Sequence, residues 1–415
     1  MERAGLHPNR LTNIWVPFVI ASTLLLTDHG RLAMVIPAEL FQVKYAAETR
    51  RFLCENFSKI TILTFKKLLF DDAQQEIILF LGEKNGKENS GIRMIELDNL
   101  DDLLTYSSDD INHLEFKPTN SSNEKWTKYY LDRDEIQLLE TLKHNENITL
   151  SGKAIDVDVG VVTGDNKFFI LNEEKMKKYN IKEPLQKIVT RSAHLKGTVF
   201  TNTDFEDNVQ KGYPTYLLKP QNNPIDKLSE HFQNYIKMGE KLGVHKGYKC
   251  KIRKQWYIVP SVWIPDAFML RQVHAYPKIA LNKTNATCTD TVHRVKFINR
   301  YDGELVSAAF LNSLTLAFAE ITGRSYGGGV LTFEPSESEM LPIPLVNAEK
   351  LNLSKIDELI RKDDIQTVLD INDKILFIGH RLRIYFLLLL LFLNPLFHLL
   401  LKPFISKPFS VYMRI

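Results

Sequence analysis

The sequence predicts an α/β fold that gives way to a mixed α+β region. Three observations carry this reading. Short apolar or β-branched runs alternate with helix-length segments over residues 13–97. From Ile155 to about residue 345, short strand signals, glycines and aromatics replace that alternation. Charge is also unevenly spread. Eleven Lys or Arg stand against two acids, Asp266 and Asp290, between Lys241 and Lys296, while the 415-residue chain carries a net charge of only +3.

Taken in order, NIWVPFVIASTLLLT has apolar residues on more than one face and predicts a mostly buried helix, closed by Asp28, His29 and Gly30. RLAMVIP predicts a strand ended by Pro37. VKYAAETRRFLCENF is an amphipathic helix, and ITILTF and EIILFLG are two further strands. Strands joined through helices predict a mostly parallel sheet. GIRMIEL adds an edge strand. Residues 101–130 are polar and read as a linker, followed by the short helix DEIQLLETLKHNE. The α/β region lacks a GxGxxG loop and is too short for a complete doubly wound domain, so the chain is expected to begin inside one.

Cys54, Cys250 and Cys288 form no CxxC pair, which predicts reduced thiols in a cytoplasmic protein. The histidines show no zinc-ligand spacing, so no metal is expected. No signal peptide is expected either. Residues 384–401, IYFLLLLLFLNPLFHLLL, have membrane length but contain Asn394, Pro395 and His398. An abnormal C-terminus is the preferred reading there, with a membrane segment or buried helix pair as alternatives.

Four segments of the second half carry candidate chemistry. In VGVVTGDNKFFIL, the turn Thr163-Gly164-Asp165-Asn166 followed by Lys167 can hold a phosphate or meet a base edge. A polar hairpin turn is the alternative. In HKGYKCKIRKQWYIVP, Lys246, Arg253 and Lys254 interleave with Tyr248, Trp256 and Tyr257, a pattern suited to phosphates and stacking. A solvated basic strand pair is the alternative. In YPKIALNKTNATCTDTVHRVKF, Lys283, Thr287, Thr289, His293 and Arg294 are candidates to line a groove between two strands. In GRSYGGGVLTFEPSESEMLPIP, Tyr326 precedes three glycines that permit close backbone approach to a large or flat ligand, with a simple tight turn as the alternative.

GRLAMVIP, LLFDDAQQEIILFLG, VVTGDNKFFIL, WIPDAFML and GRSYGGGVLTFEPSESEMLPIP together resemble adenine-specific DNA methyltransferases of restriction–modification systems, in the class with a catalytic domain first and a target recognition domain last. The resemblance covers roughly residues 12–375. It implies the C-terminal portion of a Rossmann-like, S-adenosylmethionine-dependent catalytic domain, with GRLAMVIP as a central strand. It implies methyl transfer to the N6 of an adenine flipped out of duplex DNA. Phe70 falls where the family packs an aromatic against the flipped base, and a core role is the alternative. The family's cofactor loop and Asn-Pro-Pro-Tyr loop do not occur in this sequence. A separate chain supplying an N-terminal methyltransferase half is therefore a candidate partner besides double-stranded DNA.

The implied division is a catalytic portion over 1–100, a linker and short helix over 101–145, a target recognition domain over 146–350, a helical segment over 351–383 and an apolar tail over 384–415. A DNA-binding specificity module without chemistry and a protein-interaction domain are the competing functions.

Overall fold

Helix α1 (Trp15–Leu25) owes its place to Trp15, Val16, Val19, Ile20 and Thr23, which it buries. Strand β1 (Arg31–Pro37) follows it, and α2 (Ala47–Asn56) leads to β2 (Lys59–Phe65). Strands β3 (Ile77–Glu83) and β4 (Gly91–Leu97) complete a four-stranded sheet in the order β1-β3-β2-β4. The computed structural model describes residues 1–66, 76–85, 90–107, 109, 111, 113–119, 124–325 and 330–377. It divides into two units, Met1–His144 with Glu320–Thr332, and Asn145–Ala319 with the chain from Phe333 onward.

The expected mostly parallel sheet is corrected. β3 runs antiparallel to both β1 and β2, and only β2 and β4 pair in parallel. The strand–helix–strand alternation read from the sequence is real, because α2 connects β1 to β2. Those two strands are not neighbours, however, since β3 lies between them. About a dozen residues are needed for a parallel crossover. The chain between Phe65 and Ile77 is shorter, so β3 returns antiparallel. β4 sits at one edge, as expected. β1, which the resemblance makes central, is the other edge of the described sheet.

One face of this sheet joins α1 and α2 in a core that includes Ile36, Phe52, Ile60, Ile62 and Phe80. The other face gathers Leu63, Ile95 and Leu97 near α3 (Leu100–Thr105). Arg50 is buried on α2, and its guanidinium donates to the carbonyls of Leu40 (2.9 Å), Val43 (3.2 Å) and Glu124 (2.8 Å). Helix α4 (Arg133–Lys143) starts at a reciprocal cap between Asp132 and Glu135, each side chain accepting from the other's backbone N–H at 2.8 Å.

The second unit opens with β5 (Ile148–Leu150), β6 (Ile155–Val159), α5 (Asn166–Phe169), β7 (Ile170–Leu171) and α6 (Glu173–Lys178). β8 (Leu185–Val189), β9 (Val199–Phe200), α7 (Asn202–Gln210), β10 (Tyr216–Leu218), α8 (Glu230–Lys241) and α9 (Tyr248–Lys251) follow. Then come β11 (Ala267–Leu270), β12 (Ile279–Asn282), β13 (Thr287–Cys288) and β14 (Val292–Phe297). A five-stranded sheet runs β6-β14-β11-β12-β9, and a four-stranded sheet runs β13-β8-β10-β7. The fold is thus mixed α/β.

The helix Leu353–Arg361 is pinned to this unit by charge. Arg361 bridges Asp204 (2.6 and 2.9 Å), while Asp357 Oδ1 accepts from the backbone N–H of Thr198 and Val199. The last described helix, Ile365–Leu376, buries Leu376 and is followed by buried Phe377. The apolar run 384–401 lies outside the described residues. Among those described, no single helix is long and apolar enough to cross a membrane.

His194 is buried and stacks on Tyr213, with ring centroids 4.7 Å apart. Burial, aided by the charges of Arg191 and Lys211, pushes its pKa down to about 4. The unfolded chain therefore takes up this proton first. The stabilising effect is complete above about pH 6.5 and is lost as pH falls toward 4, by on the order of 2 kcal/mol at pH 5. Thermal unfolding at pH 7.5 and pH 5 should show a larger drop for the full chain than for His194→Phe, which keeps the stack but has no proton to bind. Equal drops would exclude His194 as the cause.

Candidate nucleic-acid interface

The tip at residues 163–167 is built from the inside outward. Phe168 and Phe169 are buried, and they anchor α5 against α8 and the loop after α9. Phe168 stacks on Tyr235 at 4.6 Å and meets Trp256 at 5.2 Å. The Tyr235 hydroxyl donates to the Phe168 carbonyl at 2.7 Å. Asp165 caps α5 by accepting from the Phe168 N–H, so it serves the fold rather than a ligand. Thr163 is buried and its hydroxyl donates to Asn166 Oδ1. Gly164, Asn166 and Lys167 remain exposed. The hairpin-turn alternative is replaced by a capped helical turn.

Gly164 sits at φ +88°, and a Cβ there would lie 3.0 Å from Cys250 Sγ and 3.1 Å from Lys249 Cβ. The tip is therefore pressed against α9. Glycine satisfies both the backbone conformation and the close approach.

The basic segment forms no strand pair, which is a second correction. Residues 244–246 make a 3-10 turn and 248–251 a short helix. Cys250 is the one fully buried residue of that helix, and burial raises its thiol pKa. Arg253 turns inward. Its guanidinium donates to the carbonyls of Val162 (3.0 Å), Thr163 (2.8 Å) and Trp256 (3.4 Å), and lies 5.5 Å from the Phe169 ring. Trp256 is spent as well, packing on Phe168 and donating to Glu240 at 3.2 Å. Tyr257 is buried, with its hydroxyl on the Asn223 carbonyl. Of the three aromatics in this segment, only Tyr248 is open, at 73% exposure.

The eleven cations of 241–296 thus fall into two groups. Arg271 pairs with Glu334, Lys283 with Glu304 and Arg294 with Asp158. Lys278 is buried and donates to the Lys196 carbonyl. Arg253 braces the tip, and Lys296 lies over Trp263. Lys241, Lys246, Lys249, Lys251 and Lys254 are all exposed, and none forms an ion pair among the described residues. They fall within fourteen residues, beside the tip that carries Asn166 and Lys167.

The groove expected over 276–297 is not there. Thr287, Thr289, His293 and Arg294 are buried: His293 and Arg294 lie on β14, an interior strand of the five-stranded sheet, while Thr287 lies on β13, the edge of the four-stranded one, followed by Thr289. His293 Nε2 meets the Phe333 carbonyl at 2.7 Å, and burial lowers its pKa. Lys283 is on the surface, but paired. Phe70, Tyr326 and the three glycines after Tyr326 lie outside the described residues. Among the described residues no cluster of His, Cys, Asp or Glu suits a metal ion.

In the first unit, a cavity of about 200 Å³ opens where β2 and β4 end, lined by Phe41, Phe65, Lys66, Glu76, Glu96 and Tyr130 among others. Burial raises the Glu96 pKa. Ligand pockets generally measure about 300–1,000 Å³. The cavity is smaller, and no glycine among its lining residues forms a cradle for a carboxylate. The cofactor does not fit it.

Residues 123–377, more than half of the chain, match the family described as the type II methyltransferase M.Eco57I, C-terminal domain. The chain belongs to this family. It is 25% identical over 374 residues to the type II methyltransferase M.AccI of Acinetobacter calcoaceticus, covering 84% of this chain and 66% of that protein. It is 26% identical over 247 residues to M.HindII of Haemophilus influenzae, covering 56% of this chain and 45% of that protein. The chain therefore spans less than two thirds of the length of these relatives. The type IIL restriction–modification enzyme MmeI, solved in complex with DNA, shares the fold, with a TM-score of 0.52 and 10% identity over 94% of this chain and 52% of that one. The basic tip and α9 of this family member lie inside the matched region.

Proposed function

We propose that this chain is the DNA-recognising part of a restriction–modification methyltransferase that transfers a methyl group from S-adenosylmethionine to the N6 of adenine in duplex DNA. The observation that carries the reading is the run of five exposed lysines, without an ion pair among the described residues, beside a braced polar tip. The lysines neutralise phosphates and set the register on the duplex, whereas Asn166 and Lys167 face base edges. No transfer step is assigned to residues of this chain, since the cavity does not fit the cofactor. S-adenosylmethionine supplies the methyl group from a site in the part of the enzyme that this chain does not match.

Fluorescence anisotropy with duplexes of different sequence tests recognition. Asn166→Ala should lower discrimination among duplexes by roughly tenfold, equivalent to one good base contact of about 1–3 kcal/mol. The salt dependence should not change. A folded sample that binds no duplex even at low salt would sink the reading in favour of a protein-interaction domain. Incubation of the chain alone with labelled S-adenosylmethionine and mixed-sequence DNA should leave adenine unlabelled. Robust labelling would show that the chain carries the transfer chemistry itself.

A further inference from the structure

Helix α9 turns one side inward and keeps the other out. Cys250 is buried beneath it, and Arg253, three residues on, fastens the segment to the carbonyls of Val162 and Thr163 at 3.0 and 2.8 Å. Tyr248 and Ile252 stand on the opposite side. The Ile252 N–H donates to the Tyr248 carbonyl at 3.4 Å, so the helical turn continues to Ile252 and the two side chains, four residues apart, share one face. Tyr248 is 73% exposed and Ile252 64%. With about 100° of rotation per residue, Lys249 and Lys251 project roughly 80° to either side of that face. Both lysines are exposed. The segment therefore presents an apolar ridge with a cation on each flank, held from beneath.

Single exposed apolar side chains are ordinary on a protein surface. A paired ridge bracketed by lysines suits a narrower set of partners. An apolar pocket on another protein would cover Tyr248 and Ile252, but it would also desolvate the flanking ammonium groups. Duplex DNA offers both surfaces in one ligand. Its two strands carry rows of phosphates, and between them lie base faces that an apolar side chain reaches by parting a base step. Tyrosine suits this task, because its ring stacks and has only two torsions to fix. The neighbouring Trp256 and Tyr257 are not available for it, since Trp256 packs on Phe168 and Tyr257 is buried.

We propose that Tyr248 and Ile252 form a wedge that parts a base step of the bound duplex, while Lys249 and Lys251 hold the phosphates on its two sides. The inference rests on the DNA-recognition reading above and adds a second source of selectivity to it. A wedge costs least where the stack opens most easily. Pyrimidine–purine steps such as TA are therefore favoured, although neither side chain reads their edges.

The test uses the full chain and compares, by fluorescence anisotropy, an intact duplex with the same duplex carrying one abasic site at a TA step. The abasic site removes the unstacking that a wedge must otherwise perform, so the wild-type chain should bind it roughly tenfold more tightly. Tyr248→Ala combined with Ile252→Ala should lose that preference. The slope of log affinity against log salt and the thermal midpoint should stay unchanged, because both side chains are exposed and uncharged. Tyr248→Phe should keep the preference. Lys249→Ala should do the opposite of the double substitution, keeping the preference and flattening the slope by about 0.9. Equal affinity of the wild-type chain for the two duplexes overturns the proposal, as does a preference that survives the double substitution. In both cases the chain still binds DNA, so the wedge fails and the recognition reading stands, whereas absence of all duplex binding removes both. Phosphatidylglycerol vesicles are the second probe. Vesicle binding abolished by the double substitution, with no preference between the duplexes, assigns the ridge to a lipid surface instead.

Discussion

Replacing Lys246, Lys249, Lys251 and Lys254 together with alanine should nearly abolish the salt dependence of duplex binding. Each lysine that meets a phosphate contributes about 0.9 to the slope of log affinity against log salt. With Lys241, the five exposed lysines give a slope of about −4.5 if all of them engage. The wild-type chain would then lose roughly 500-fold in affinity between 50 and 200 mM salt, and the quadruple variant only about 3.5-fold. Lys283→Ala is the internal control. Lys283 is also a surface lysine, but Glu304 holds it at 3.0 Å, so its removal should leave the slope nearly unchanged. Unfolding should be little affected in either case, because the four lysines make no ion pairs among the described residues and the Lys283–Glu304 pair is solvent-exposed and contributes little. A slope equal to that of the wild-type chain in the quadruple variant would place the phosphates elsewhere.

The sequence shows the charge excess of 241–296 but not its division. Whether a lysine is free depends on partners far along the chain: Glu304 for Lys283, Asp158 for Arg294 and Glu334 for Arg271. No local pattern carries that. Local patterns did carry the strands of the first unit, where RLAMVIP and GIRMIEL coincide with β1 and β4. After Arg31, RLAMVIP is a continuous apolar run closed by Pro37, and GIRMIEL, though broken by Arg93 and Glu96, is bounded by polar stretches on both sides. Sheet direction was not legible, because it depends on which strand is inserted between β1 and β2. His293 and Arg294 are polar by type, yet strand context buries them. VHRVKF is a central strand, where a histidine finds a carbonyl and an arginine an aspartate. Cys250 was the overlooked signal. A lone small apolar residue among lysines marks the inward side of a short helix, and Arg253 lies three residues farther along that side.

Arg253 should behave differently from the lysines around it. One arm of its guanidinium, Nη2, donates to the carbonyls of both Val162 and Thr163, which fixes the tip that presents Asn166. Burial lowers its pKa, yet the group keeps its charge at any ordinary pH. Arg253→Ala leaves two carbonyls without their donor and costs about 2–3 kcal/mol, since hydrogen bonds from a charged group are worth more than neutral ones. For a unit of this size the midpoint of thermal unfolding should fall by roughly 5–10 °C. Arg253→Lys should recover only part of this, because an ammonium on a flexible stem cannot match the planar fork. The DNA measurement separates positioning from phosphate contact. With the tip loosened, discrimination between duplexes should collapse as it does in Asn166→Ala, while the slope against salt stays that of the wild-type chain. A slope reduced by about 0.9 with discrimination intact would make Arg253 a phosphate ligand. It would also mean that the guanidinium leaves the two carbonyls when DNA binds.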